Sequence, residues 1–241
     1  MCGRIWTTSL LLLVAAPAAA VECGDMDHLG QSYTVCRVDA GSEDLALYHT
    51  DDRGAVIGGF DALAALHPDR QLVFAMNAGM YHEDRSPVGL FVKDGAQTAP
   101  LVTSDGPGNF GLLPNGVFCL SETGARIIES RSFAANAPQC RDATQSGPML
   151  VIDGALHPKF LPDSASTHIR NGVGVAADGR TAYFAISNAA VNFHDFATLF
   201  RDVLQTPNAL FFDGSVSRLF APQIGRDDFG FQLGPMVAVF E

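Results

Sequence analysis

The chain is poor in the groupings by which many chemistries announce themselves. None of its seven histidines forms an H-x-x-x-H pair, the spacing that places two metal ligands on one helix face. His82, His157, His168 and His194 stand isolated. There is no C-x-x-C pair, which disfavours a zinc site built on clustered thiolates. No glycine-rich loop ends in lysine, which disfavours a nucleotide-driven reaction. No low-complexity tract or long Pro/Ser linker divides the chain, and after the N-terminal segment no apolar run is long enough to span a bilayer. Basic residues are scarce as well: 15 Lys and Arg face 26 Asp and Glu, for a formal charge of −11. A surface this acidic repels nucleic acid and anionic membrane, so neither is expected as a partner unless arginines gather in one pocket.

What is present begins with an export signal. Arg4 supplies the positive start, Leu10 to Ala16 the apolar core, and Ala18-Ala19-Ala20 the small residues before a cleavage point, with Val21 as the expected mature start. An uncleaved anchor is the alternative, but the apolar stretch is short for a span. The residue after the small run is not cysteine, which argues against a lipoprotein. The expectation is a signal peptide over residues 1–20, then one domain over 21–241, periplasmic or secreted and not inserted in the membrane. Four cysteines remain in that domain, an even set suited to an oxidising compartment. Pairing of sequence neighbours gives Cys23 with Cys36 and Cys119 with Cys140, each bridge contributing about 3 kcal/mol on the loop-entropy model.

Hydrophobic residues make up 47% of the chain and glycines number 24, a compact, turn-rich composition rather than a disordered one. Apolar runs predict strands at Tyr33–Val38, Leu45–Thr50, Leu72–Met76, Val88–Val92, Val117–Leu120, Arg126–Glu129, Met149–Ile152, Val173–Ala176, Thr181–Ser187, Ala209–Phe212 and Met236–Phe240. A short helix is expected over Gly59–Leu66. A longer one is expected over Phe193–Leu204, with Asn192 as its cap and Asp195 in its first turn. Asn115-Gly116-Val117-Phe118 and Asn171-Gly172-Val173-Gly174 resemble each other, as a faint duplication or as two hairpins with the same turn chemistry.

Three of the apolar runs end in, or begin from, a small polar residue beside glycine. Leu72–Met76 leads into Asn77-Ala78-Gly79-Met80-Tyr81, Gln145-Ser146-Gly147-Pro148 leads into Met149–Ile152, and Ala209–Phe212 leads into Asp213-Gly214-Ser215. A polar side chain at a strand end is rigidly held, and the glycine lets backbone approach a ligand. The expectation is one site assembled from separate strand ends, with Asn77, Gln145, Arg170 and Asp213 brought to a single cleft.

These segments, with Pro87-Val88-Gly89-Leu90, Gly108-Asn109-Phe110-Gly111, Pro114-Asn115-Gly116-Val117-Phe118, Arg170-Asn171-Gly172-Val173-Gly174 and Asp213-Gly214-Ser215-Val216-Ser217, taken in order, resemble the phosphodiester glycosidase family, the group that contains the lysosomal uncovering enzyme. The resemblance runs from about Leu72 to Val239. It implies an α+β fold of β-sheets with a few flanking helices, and cleavage of the sugar–oxygen bond in a sugar-1-phosphodiester such as N-acetylglucosamine-1-phosphodiester. That family usually carries Asp-Gly-Gly at the last motif, so Ser215 here bears on the geometry of the turn.

Such cleavage passes through an oxocarbenium-like state that needs a carboxylate near the anomeric carbon. Phosphate is already a good leaving group, so a cation on its oxygens can replace the general acid. Asp213 is the candidate nucleophile or cation stabiliser, against the alternative of an Asx turn. Arg170 is the candidate phosphate ligand, against an ion pair with Asp163 or Asp178. Asn77 and Gln145 can bind sugar hydroxyls or an N-acetyl group, or can cap backbone. Ser146, Ser215 and Ser217 are candidate hydroxyl contacts. Tyr81 can stack on a sugar or bury a bonded hydroxyl. Glu83 and Asp84 offer a second carboxylate or a solvated loop. Asp153 before Gly154 is a hairpin turn, and Gly106-Pro107-Gly108-Asn109 a loop able to cover the site. No cofactor or metal is called for, and the expected partner is a phosphate-linked glycan. Two competitors remain: a non-catalytic glycan-binding or envelope-assembly protein on the same fold, and a phosphodiesterase cutting the P–O bond, which would want two metals.

Overall fold

Apolar runs closed by turn residues form most of the interior strands, and polar edges decide where the strands stop. The computed structural model describes residues 21–241, so the signal peptide expected over residues 1–20 lies outside the described residues. Among the described residues the strands build three sheets in which neighbours pair antiparallel. The largest runs in the order Glu22–His28, Gln31–Asp39, Thr181–Ser187, Asn171–Val175, Asn208–Asp213, Met149–Ile152, Ala155–Leu156. The second runs Arg226–Asp227, Leu219–Ala221, Leu72–Asn77, Met236–Phe240, Leu45–Tyr48. The third runs Ala96–Ala99, Phe91–Lys93, Asp142–Ser146, Gly116–Ser121, Gly124–Glu129. This is the α+β architecture expected from the sequence.

The sheets meet on aromatic side chains. Phe74 of the second sheet lies 4.9 Å from Phe184 of the first, and Phe118 of the third packs edge-on against Phe184 and Phe212 at 5.9 and 6.2 Å. All four rings are fully buried, each stabilising the fold by about 2 kcal/mol on area grounds. The two look-alike segments are both hairpins, Gly116–Ser121 with Gly124–Glu129 and Asn171–Val175 with Thr181–Ser187. Their turns touch: the Ala125 amide donates to the Gly179 carbonyl at 2.8 Å. Gly124 has φ 158°, and a side chain there would collide with the Gly179 carbonyl, so only glycine fits.

The helices are short. Phe60–Ala65 matches expectation. Asn192 caps Phe193–Thr198 by accepting from the Asp195 amide at 2.8 Å, but the second half, Leu199–Val203, widens into a π-helix. The strand expected over Val88–Val92 contracts to Phe91–Lys93. The Leu90 amide is taken by the Gln145 side chain at 3.1 Å instead of a neighbouring strand. Both expected disulfides form, Cys23–Cys36 and Cys119–Cys140. No described helix is long and apolar enough to cross a membrane.

Candidate active site

The site is built on Asn171, the first residue of its strand and the cross-strand partner of Asp213. Its amide nitrogen donates to the Asn77 carbonyl at 2.9 Å and to Asn77 Oδ1 at 3.0 Å. Its Oδ1 accepts the Asp213 amide at 3.1 Å. Asn77 Oδ1 also accepts the Arg218 amide at 2.9 Å. The end of Leu72–Asn77 in one sheet is thereby fastened to the end of Asn208–Asp213 in another. Ser217 Oγ lies within hydrogen-bond distance of Asn171 Oδ1 and of the Ile169 and Asp213 carbonyls, at 3.3, 3.1 and 3.0 Å.

Asp213 sits at the end of the apolar Ala209–Phe212 run, as the sequence suggested, and its side chain does make an Asx turn. Oδ1 accepts the Gly214 and Ser215 amides at 2.6 and 2.8 Å. Burial raises its pKa, and the Ser215, Gly214 and Val216 amides offset part of that rise. The residue keeps 8% of its surface open. Ser215 is exposed, and it does not adopt the left-handed backbone that demands glycine. The turn therefore accepts serine where the family usually has a second glycine.

Arg170 lies against the same turn. It is wholly buried, with Nε donating to the Val191 carbonyl at 2.8 Å and Nη2 to the Ser166 carbonyl at 3.0 Å. Nη1 is enclosed and has no partner. It lies 3.7 Å from where a Cβ on Gly214 would stand. The guanidinium carbon is 3.5 Å from the Phe193 ring centroid and 5.4 Å from that of Phe211. Phe193 stacks on Phe160 at 4.9 Å, and Phe160 on His157 at 4.7 Å. The column holds the guanidinium plane by cation–π contact and keeps water away. Burial pushes its pKa down to about 10, so it stays charged at neutral pH. Neither Asp163 nor Asp178 pairs with it. The Asp178 carboxylate instead accepts the Arg180 and Thr181 amides at 2.8 and 2.9 Å.

The remaining candidates divide. Tyr81 hydrogen-bonds the Gln232 carbonyl at 3.0 Å. Its hydroxyl pKa is raised by burial first and then by the Asp213 charge. Ser146 Oγ donates to the Phe212 carbonyl at 2.9 Å, one residue short of Asp213. Gln145 points elsewhere. Its Oε1 accepts the Leu90 and Val102 amides at 3.1 and 3.0 Å, and its Nε2 donates to the Val102 carbonyl and Ser130 Oγ at 2.6 and 2.8 Å. Its polar groups are spent on Leu90, Val102 and Ser130, so Gln145 does not join Asn77, Arg170 and Asp213, which lie around one turn but do not form the expected cleft. Nor do these three line an open rim, because Asn77 and Arg170 are fully buried. Asp84 is engaged by Ser86 in an exposed loop, and Asp153 and Gly154 form the expected left-handed hairpin turn. Asn171 is the residue that motif reading passed over, although it stands inside the Arg170–Gly174 motif.

Comparison with known proteins bears on the family and the fold. The family model for phosphodiester glycosidase matches residues 70–229. The uncharacterised protein YigE of Escherichia coli (strain K12) is 34% identical over 215 residues, covering 88% of this chain and 83% of the relative. The catalytic domain of zebrafish N-acetylglucosamine-1-phosphodiester alpha-N-acetylglucosaminidase, in a form auto-inhibited by its pro-peptide, superposes with a TM-score of 0.63 at 12% identity, over 92% of this chain and 82% of that one. A candidate exported protein of Burkholderia pseudomallei K96243 superposes with a TM-score of 0.55 at 11% identity, over 87% and 74%. By its match to the family model over residues 70–229, this chain belongs to the phosphodiester glycosidase family.

Proposed function

We propose that the chain is an exported phosphodiester glycosidase that hydrolyses a sugar-1-phosphodiester, of the N-acetylglucosamine-1-phosphodiester type, to free sugar and phosphomonoester. One observation carries the reading: a buried guanidinium, charged at neutral pH, with an orphaned N–H group beside the Asp213 turn. A buried charge without a counter-ion is costly, and a phosphate oxygen at Nη1 would relieve that cost. Asp213 faces the anomeric carbon and stabilises its positive charge. Water oxygen bonds to that carbon, the carbon–oxygen bond to phosphate breaks, and its electron pair leaves with the phosphomonoester held by Arg170. The water proton passes to solvent. Asn77 and Asn171 hold the strand ends, Tyr81 and Ser215 border the sugar, and Ser146 and Ser217 fix the backbone around Asp213. Substrate entry would require the largely exposed segment 158–169 to lift from Arg170, breaking its bonds at the Ser166, Pro162 and Ile169 carbonyls and its bridge between His168 and Val191.

The leader, the two disulfides and the acidic surface fit a periplasmic or secreted enzyme acting on phosphate-linked glycans, folded as one domain over residues 21–241. The closed centre favours a second reading, a non-catalytic glycan-binding protein on the same fold. Incubation with a sugar-1-phosphodiester decides between them. Release of free sugar supports the hydrolase; binding of the intact diester without release supports the second reading.

A further inference from the structure

We infer that the cavity beside Phe229 is a carbohydrate subsite, which takes the sugar ring next to the one being cleaved; the inference rests on the glycosidase reading for its place in the reaction. Phe229 and Phe231 are 94% and 77% exposed, yet the loop that carries them is firmly held. Arg218 Nε donates to the Asp228 carbonyl at 2.8 Å, Arg218 Nη1 to the Phe231 carbonyl at 3.1 Å, and the Leu233 amide to the Gly58 carbonyl at 2.9 Å. Bare aromatic rings on a braced loop mark a contact surface.

Phe229 borders a cavity of about 320 Å³ together with Asp61, Arg218, Asp227 and Gln232. That is the small end of the ligand range of roughly 300–1,000 Å³ and suits a single ring. Its chemistry is mixed. The aromatic face offers an apolar platform, the two carboxylates accept hydroxyl protons, and Arg218 donates. No carboxylate lies within ion-pair distance of Arg218 among the described residues. A lipid chain would leave these polar groups unmatched, and an anion would be repelled by Asp61 and Asp227. A pyranose, with one C–H face and a rim of hydroxyls, satisfies both.

The cavity also has a defined relation to the centre. The Arg218 amide is held by Asn77 Oδ1, and Gln232 accepts from the Tyr81 hydroxyl. Neither Asp213 nor Tyr81 lines it, so a ring bound there is the neighbour of the ring being cleaved. The cavity is tied to the centre through Asn77 and Tyr81, and Arg170 is not in its lining, so we assign it to the glycosyl side rather than the phosphate side.

The test compares the methyl phosphodiesters of N-acetylglucosamine and of its β1,4-linked disaccharide. The native protein is expected to prefer the disaccharide by about tenfold in kcat/KM, and Phe229→Ala to bring that ratio close to one. An unchanged ratio in the variant overturns the subsite. If neither compound is hydrolysed the glycosidase reading fails, and saturation-transfer NMR with the free disaccharide tests the subsite alone. Transfer lost in Phe229→Ala supports it; equal transfer overturns it, as does Phe229-dependent pelleting with phosphatidylglycerol vesicles in the absence of any saccharide signal. Phe229 is so exposed that the variant should melt at the native temperature, which excludes misfolding as the cause.

Discussion

The Asn171 side-chain amide donates to both the carbonyl and the side-chain oxygen of Asn77, at 2.9 and 3.0 Å, and this pair clamps two sheets together directly under Asp213. Asn171→Ala removes both donors and the acceptor for the Asp213 amide. Buried groups left unsatisfied cost about 1–3 kcal/mol each. We expect a loss of roughly 3 kcal/mol in chemical denaturation, with activity falling further than the stability loss explains because Asp213 is no longer fixed.

Asp213→Asn should preserve the turn, since an amide oxygen can accept from Gly214 and Ser215 as Oδ1 does. Turnover should drop by at least about a hundredfold if the carboxylate acts at the anomeric carbon. Unchanged turnover would remove Asp213 from that role.

The same residue predicts a pH dependence. Burial raises the carboxyl pKa above its ordinary value, so the folded chain holds this proton more tightly than the unfolded chain. The stability from this group is complete below the unfolded pKa and is lost as pH rises through the higher folded value. Asp213→Asn should therefore gain stability relative to the native protein above that window and match it below. The acid limb of kcat/KM should lie above the ordinary carboxylate range, because the reaction needs the anion. Thermal melts and rate profiles between pH 3 and 7 check both.

Arg170→Met removes a buried charge and fills much of the same volume. It leaves the Val191 and Ser166 carbonyls without their donors, so the net stability change should stay within about 2 kcal/mol. Ligand linkage separates the charge from the packing. Inorganic phosphate at a hundred times its Kd should stabilise the native protein by about 2.7 kcal/mol and leave the variant unmoved. Equal shifts in both proteins would place phosphate elsewhere.

Gln145→Ala should behave differently from every residue of the centre. Its amide braces the Leu90 and Val102 backbone and Ser130, so we expect a stability loss of about 2–4 kcal/mol from broken buried hydrogen bonds. KM for a sugar-1-phosphodiester should remain close to native at a temperature where the variant is folded.

Much of this architecture is legible in the sequence because apolar runs bounded by turn residues identify buried strands. Leu72–Asn77, Gly116–Ser121, Thr181–Ser187, Asn208–Asp213 and Met236–Phe240 follow that rule. Asp142–Ser146 does not. It is a fully buried strand of polar and small residues, held between neighbours that supply the hydrogen bonds, and no hydrophobic period marks it. Glu22–His28 is polar as well, and pairs through a register that includes the Cys23–Cys36 bridge. Asp213 and Arg170 stand out from their local contexts, one at the end of an apolar run and the other opening a glycine-rich strand. The clamp role of Asn171 and the bracing role of Gln145 depend on partners 94 and 55 positions away, and no local pattern encodes those distances.

Hydrolysis in ¹⁸O-labelled water tests the central claim most directly. The account predicts label in the released sugar and none in the phosphomonoester, because the bond broken is the one between the anomeric carbon and oxygen. Label in the phosphate would mean P–O cleavage and would contradict the roles given to Asp213 and Arg170.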